Sequence, residues 1–158
     1  MSNRPSWHVY FMKMAQLVSE RSTCTRRQVG AVLVKDNQII ASGYNGAPKN
    51  VEHCEIVGCI REEQNIPSGS NHELCRGVHA EQNTIIQAAI NGTSLENSVL
   101  YCTHFPCSLC AKMIINAEIE TVYVLKNYND DLSKKLFEES GTDVLLVDID
   151  NNSLEKIV

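Results

Sequence analysis

The chain has 158 residues, enough for one ordinary domain with a single core, and 43% of them are hydrophobic, which argues against wholesale disorder. Its 14 Lys and Arg against 19 Asp and Glu give a net charge of −5, which disfavours a surface that coats polymeric nucleic acid but leaves room for a local pocket that takes a small anion. No apolar run approaches the roughly 18 residues that span a bilayer. The opening Met1-Ser2-Asn3-Arg4-Pro5 lacks the basic-then-apolar layout of a secretory leader, so the expected location is cytoplasmic, with no membrane partner.

From 6 to about 21, apolar residues fall at Trp7, Tyr10, Phe11, Met14, Leu17 and Val18. This spacing predicts an amphipathic helix capped by Ser6, with the stripe in the core. Residues 29–35 and 38–43 are rich in β-branched side chains and flank Asp36-Asn37, so they read as a hairpin. From 44 to 77 no period persists, and Gly, Pro, Asn, Cys and charged residues dominate. So long an irregular stretch is usually functional, or is held by something other than apolar burial.

Residues 79–91 predict a helix with Ile85, Ile86, Ala89 and Ile90 for its buried face and Gly92 as its stop. A strand follows at 98–103, then Pro106 in the first turn of a helix over 107–117. The rest reads as a strand at 121–126, a helix at 131–140 ended by Gly141, and a last strand at 143–149. This order predicts an α/β fold, a mixed five-stranded sheet with helices on both faces. Without repeats or linkers, 1–158 is expected to be one domain.

The seven cysteines, at 24, 54, 59, 75, 102, 107 and 110, are an odd number in a chain with no recognisable leader. Metal thiolates, a nucleophile or buried thiols suit that count better than a disulfide framework. The sharpest signal is His79-Ala80-Glu81 followed by Pro106-Cys107-Ser108-Leu109-Cys110. Two cysteines three apart at a helix start lie about 60° apart around the axis and can share a metal, and the positive helix end favours their thiolates. His79 as third ligand leaves one tetrahedral position for water, the pattern of a catalytic zinc. Glu81, two residues on, is poorly placed as a ligand but well placed to move a proton between such a water and a leaving nitrogen.

His-x-Glu with Pro-Cys-x-x-Cys is the signature of the zinc nucleoside and nucleotide deaminases. The strings 43–48 (GYNGAP), 79–83 (HAEQN) and 106–112 (PCSLCAK) resemble the deoxycytidylate (dCMP) deaminase branch of that family. The resemblance implies a three-layer α/β/α fold and hydrolytic deamination of dCMP to dUMP, which supplies thymidylate synthesis. In it His79, Cys107 and Cys110 hold Zn²⁺ and Glu81 carries protons between water, ring N3 and the departing amino group. Asn45 would hydrogen-bond the sugar, the Ala80 N–H would touch the base edge, and Phe105 would line the base pocket. Arg26, Arg27, Lys49, Arg61 and Arg76 are the basic candidates for the 5′-phosphate. The bare His/Cys/Cys pattern is shared with deaminases of cytidine, guanine and tRNA adenosine, and a catalytically silent zinc- or nucleotide-binding module is the reading from another class.

Cys102, inside a predicted strand, is expected to be a core thiol. Cys24, Cys54, Cys59 and Cys75 bracket the hairpin or lie in the irregular stretch, which suggests a second, closed zinc site that pins this stretch to the scaffold. Cys24 and Cys54 match ligand positions of a second zinc in some dCMP deaminases. Cys59 and Cys75 would complete it, with His53 as an alternative ligand, His72 and Glu73 as weaker ones, and free thiols or a redox pair as the other readings. The resemblance further implies a homo-oligomer, usually a hexamer, with dCTP activation and dTTP inhibition accompanied by Mg²⁺.

Overall fold

The computed structural model describes residues 4–158; the leader reading at residues 1–3 lies outside them. Helix α1 (Trp7–Ser19) starts where Ser6 Oγ accepts the Val9 N–H at 3.3 Å. The hairpin of β1 (Gly30–Lys35) and β2 (Gln38–Tyr44) turns through Asp36 and Asn37, at φ 51° and 57°, a two-residue turn whose twist matches that of the strands. The stretch to residue 77 holds two single-turn helices, α2 (Cys54–Val57) and α3 (Ile60–Glu63), and a 3₁₀ turn at His72–Leu74. Between 47 and 77 the buried residues are Cys54, Cys59 and Arg61, so this segment contributes little apolar core.

Then come α4 (Ala80–Ile90), β3 (Val99–His104), α5 (Ser108–Asn116), β4 (Thr121–Lys126), α6 (Asp131–Ser140), β5 (Asp143–Asp148) and β6 (Ser153–Lys156). The sheet order is β2-β1-β3-β4-β5-β6. β3, β4 and β5 run parallel to one another, while β1 is antiparallel to both its neighbours and β6 is antiparallel to β5. The sheet therefore has six strands, not five. β6 escapes a pattern-based reading because all four of its residues are exposed. It is held by backbone pairing and by the Lys156–Asp143 ion pair at 2.6 Å.

β1 is buried on both faces and alternates between them. Ala31 and Leu33 join a core with α4, α5 and α6, whereas Val32 and Val34 join Phe11, Met12 and Ala15 of α1. This is the three-layer α/β/α arrangement. Two helix faces differ from expectation. On α1, Phe11 is 1% exposed but Trp7 is 44% and Leu17 57%, so the buried stripe is centred on Phe11, Met12 and Ala15. On α4 the buried residues are Ala80, Glu81, Thr84 and Ala88, while Ile86 and Ile90 face outward. The reason is proximity. A Cβ on Gly43 of β2 would lie 2.6 Å from Thr84 N and 2.8 Å from Ala80 O, so only small side chains fit between helix and strand.

Candidate active site

His79 and Cys107 occupy equivalent places, the N-cap positions of α4 and α5, and the two helix starts face each other. Around His79 three residues of the 79–84 string have local tasks. Gln82 Oε1 accepts the His79 N–H at 2.9 Å, Asn83 Nδ2 donates to Tyr44 O at 2.8 Å, and Thr84 Oγ1 donates to Ala80 O at 2.7 Å. Around Cys107, Asp130 accepts the Ser108 N–H and the Ser133 N–H, each at 2.9 Å, and Ser133 Oγ donates to Pro106 O at 2.7 Å. One carboxylate thus fixes the starts of both α5 and α6.

His79 Nδ1 lies 3.5 Å from Cys107 Sγ and 3.3 Å from Cys110 Sγ. Tetrahedral zinc with bonds of about 2.3 Å to sulfur and 2.0–2.1 Å to nitrogen needs ligand separations of about 3.5 Å, so the trio fits the metal. Among the described residues it is the one group that brings three such ligand atoms within 4.8 Å of one another. The Cys107 thiol is pulled down to about 4, first by its hydrogen bond with Cys110 and also by His79, while the same bond and burial push the Cys110 thiol up. Glu81 is 5% exposed, and burial raises the pKa of its carboxyl. A carboxyl group so buried, beside three ligands with one coordination position to spare, is equipped to carry protons.

The site opens into a cavity of about 510 Å³. Ala80 and Phe105 line it, Phe105 with 3% exposure and its ring set edge-on against Phe137 at 6.0 Å. Asn45 lines it too, but its side chain is largely occupied. Oδ1 accepts from Val29 N at 2.9 Å and Ser22 Oγ at 2.6 Å, and Nδ2 donates to Arg27 O at 2.8 Å, leaving one amide hydrogen uncommitted. Of the five basic candidates, Arg26, Arg27, Arg61 and Arg76 line the cavity and Lys49 does not. Arg26 Nη2 donates to Ile66 O at 3.1 Å, Arg27 Nη2 to Ser68 Oγ at 3.0 Å, Arg61 Nη2 to Ser70 O at 2.7 Å and Arg76 Nη1 to Glu52 O at 3.2 Å.

All seven cysteines are free thiols, and Cys102 is fully buried in the core. Cys24, Cys54, Cys59 and Cys75 share one cavity wall. Burial and then the nearness of Cys59, Cys24 and Cys75 push the Cys54 thiol up. The four are gathered, although not as tightly as the His79 trio. His53 and Glu73 are exposed and outside the cavity lining. His72 instead stands beside His79, ring centres 5.1 Å apart. Tyr128, which no sequence signal marks, closes another side of the cavity beneath the Arg27 guanidinium, 5.6 Å from its ring centre.

The family description "Cytidine and deoxycytidylate deaminase zinc-binding region" fits residues 5–126. The chain belongs to the cytidine and deoxycytidylate deaminase family. Its metal trio, buried glutamate and three-layer fold are those of a zinc deaminase domain. It is 38% identical over 148 residues to ComE operon protein 2 of Bacillus subtilis, a match covering 93% of this chain and 74% of that one. It is also 38% identical over 139 residues to the deoxycytidylate deaminase of Schizosaccharomyces pombe, and there the match spans 87% of this chain but only 43% of the relative. The crystal structure of dCMP deaminase from the cyanophage S-TIM5 in complex with dCMP and dUMP superposes with a TM-score of 0.74 at 32% identity, covering 90% of this chain and 98% of the phage chain. Among the described residues no helix is long and apolar enough to cross a membrane.

Proposed function

We propose that this protein hydrolyses dCMP to dUMP and ammonia, the supply step for thymidylate synthesis. The observation that carries the reading is one cavity that joins the His79, Cys107 and Cys110 trio to the buried Glu81 and to four arginines. Zinc held by His79 Nδ1 and the two sulfurs would supply a Lewis acid that makes water nucleophilic near neutral pH. Glu81 takes the water's proton, protonates ring N3 as oxygen bonds to C4, and passes a proton to the exocyclic nitrogen, which leaves as ammonia. Ala80 N–H meets the base edge, Phe105 packs on the base, and the free Asn45 amide hydrogen takes a sugar oxygen. Arg26 and Arg61 are the best supported phosphate ligands, because each keeps a buried N–H without a protein acceptor; Arg27 and Arg76 stand on the same lining.

A second zinc on Cys24, Cys54, Cys59 and Cys75 belongs to the same reading, supported by their common wall and by the sparse apolar packing of 47–77. A cytoplasmic setting suits seven free thiols. A homo-oligomer is supported by outward-facing Trp7, Ile86 and Ile90, and the hexamer follows from the family resemblance. Regulation by dCTP and dTTP with Mg²⁺ rests on the family resemblance alone.

The test is ammonia release from dCMP, deoxycytidine, cytidine, guanine and a tRNA anticodon loop, with and without dCTP and Mg²⁺. Turnover of dCMP well above the others is expected, and deoxycytidine turned over as fast as dCMP refutes the nucleotide reading. Elemental analysis should find two zinc ions per chain, and one after Cys59→Ser; a single zinc in the wild-type protein removes the second site.

A further inference from the structure

One row across the sheet is made of small residues. Gly43 of β2 pairs with Ala31 of β1, and Ala31 pairs with Cys102 of β3. The first turns of α4 lie on this row. A Cβ on Gly43 would collide with Thr84 N and Ala80 O, and Thr84 Oγ1 reaches Ala31 O at 3.5 Å. Glu81 and Thr84 are three apart and share a helix face, so the Glu81 side chain comes down on the sheet beside Ala31, towards Cys102. Cys102 is fully buried, and its thiol is hydrogen-bonded to the Glu81 carboxyl. Its sulfur also takes the His104 backbone N–H, which leaves the S–H hydrogen for the carboxyl.

We infer that Cys102 is a positioning residue for Glu81: its S–H holds one carboxyl oxygen from the sheet side and so fixes the direction in which the other faces the cavity. This rests on the proton-carrying role of Glu81 above and adds the group that aims it. A carboxyl that takes a proton from water and hands protons to two nitrogens in turn must keep one orientation, and a side chain free to turn about its bonds would lose it. Glu81 lines the cavity on its other side. Cys110 also lies within hydrogen-bond reach of the carboxyl, but a thiolate that ligates a metal has no hydrogen to give. Cys102 stands outside the metal trio. Burial, and after it the charge of Glu81, hold its thiol well above the usual range, so it keeps its hydrogen. The row partners of Cys102, Ala31 and Val124, offer no side-chain donor that could replace it.

The experiment compares wild type, Cys102→Ala and Cys102→Ser as zinc-loaded proteins on dCMP, each with and without Glu81→Gln. A thiol is a weak donor, so its loss is worth about 3- to 10-fold. Cys102→Ala should lower kcat by that factor and leave KM unchanged, and Cys102→Ser, which keeps a donor, should recover part of the loss. In the Glu81→Gln protein, whose side chain no longer carries protons, Cys102→Ala should have no further effect on kcat. An equal fall in kcat in both backgrounds, a change in KM alone, or no loss at all overturns the assignment. The bond is also read without turnover. The S–H stretch of Cys102, isolated as the infrared difference between wild type and Cys102→Ser, should lie below that of a free thiol and rise when Glu81→Leu removes the acceptor. A band that Glu81→Leu leaves in place overturns the assignment as well. Wild type that shows the lowered band but releases no ammonia from dCMP sinks the deaminase reading, while the tie between Cys102 and Glu81 stands.

Discussion

Replacing Asn45 by alanine should destabilise the fold before it touches chemistry. Its side chain ties the Val29 N–H, the Ser22 hydroxyl and the Arg27 carbonyl, at 2.9, 2.6 and 2.8 Å, joining the end of β2 to the chain that enters β1. Alanine leaves one backbone donor and one backbone acceptor without these partners, each worth about 1–3 kcal/mol when buried. Because Asn45 and Val29 are only half-buried, water repairs part of the loss, and about 2–3 kcal/mol remains. For a chain of this size that is a fall in melting temperature of roughly 4–12 °C. Urea unfolding of the zinc-loaded proteins, with an unchanged m-value, measures it. Ser22→Ala removes one of the three ties and should cost about 1 kcal/mol. A loss below about 0.5 kcal/mol for Asn45→Ala refutes the view that this asparagine is a structural tie, and a fall in dCMP turnover could then be assigned to the sugar contact directly.

Glu81→Gln should lower kcat on dCMP by about 10²–10⁴-fold with zinc retained; a fall of less than tenfold, with metal content checked by elemental analysis, removes it from proton transfer. Gly43→Ala introduces a Cβ 2.6 Å from Thr84 N and 2.8 Å from Ala80 O, and should cost about 1–3 kcal/mol while shifting the start of α4 enough to slow turnover; an unaltered melting temperature and rate contradict the close approach. Burial, then Arg27 and Lys126, hold His104 down to about 4, whereas an unfolded histidine titrates near 6.5. As pH falls through that window the unfolded chain takes up a proton that the native protein refuses, so stability present above 6.5 is lost towards 4, by no more than about 3 kcal/mol. His104→Asn should flatten that part of the pH–stability curve, and an identical slope in wild type and variant would exclude His104 as its source.

Features with a local physical cause could be read before the structure. The alternation through Ala31 to Val34, the Asp36-Asn37 turn and the helix starts at His79 and Cys107 are fixed by neighbours in sequence, and each stands within a residue or two of its expected position. Features settled by distant chain were not legible. β6 is an all-exposed strand whose pairing depends on β5, and hydropathy cannot reveal it. Ile86 and Ile90 satisfy the helical period yet face outward, because Gly43 brings the strand so near that only Ala80, Thr84 and Ala88 fit. His72 lies in a segment without period, and the ties that place that segment run to Arg26 and Arg27, some 40 residues away in sequence. Asn45 carried a motif signal, but its ties to Ser22, Arg27 and Val29 could be found only in three dimensions.

The strand order has a consequence for how the chain comes together during synthesis. β1 lies inside the sheet, one strand from its edge, yet its partner on one side, β3, is translated about 65 residues after β1 ends. Until Val99 to Cys102 pair with Ala31 to Val34, the hairpin offers an open edge made of its most apolar residues. Edges of that kind recruit strands from other chains. The interval before β3 pairs is therefore when the growing chain is most open to association with its own copies.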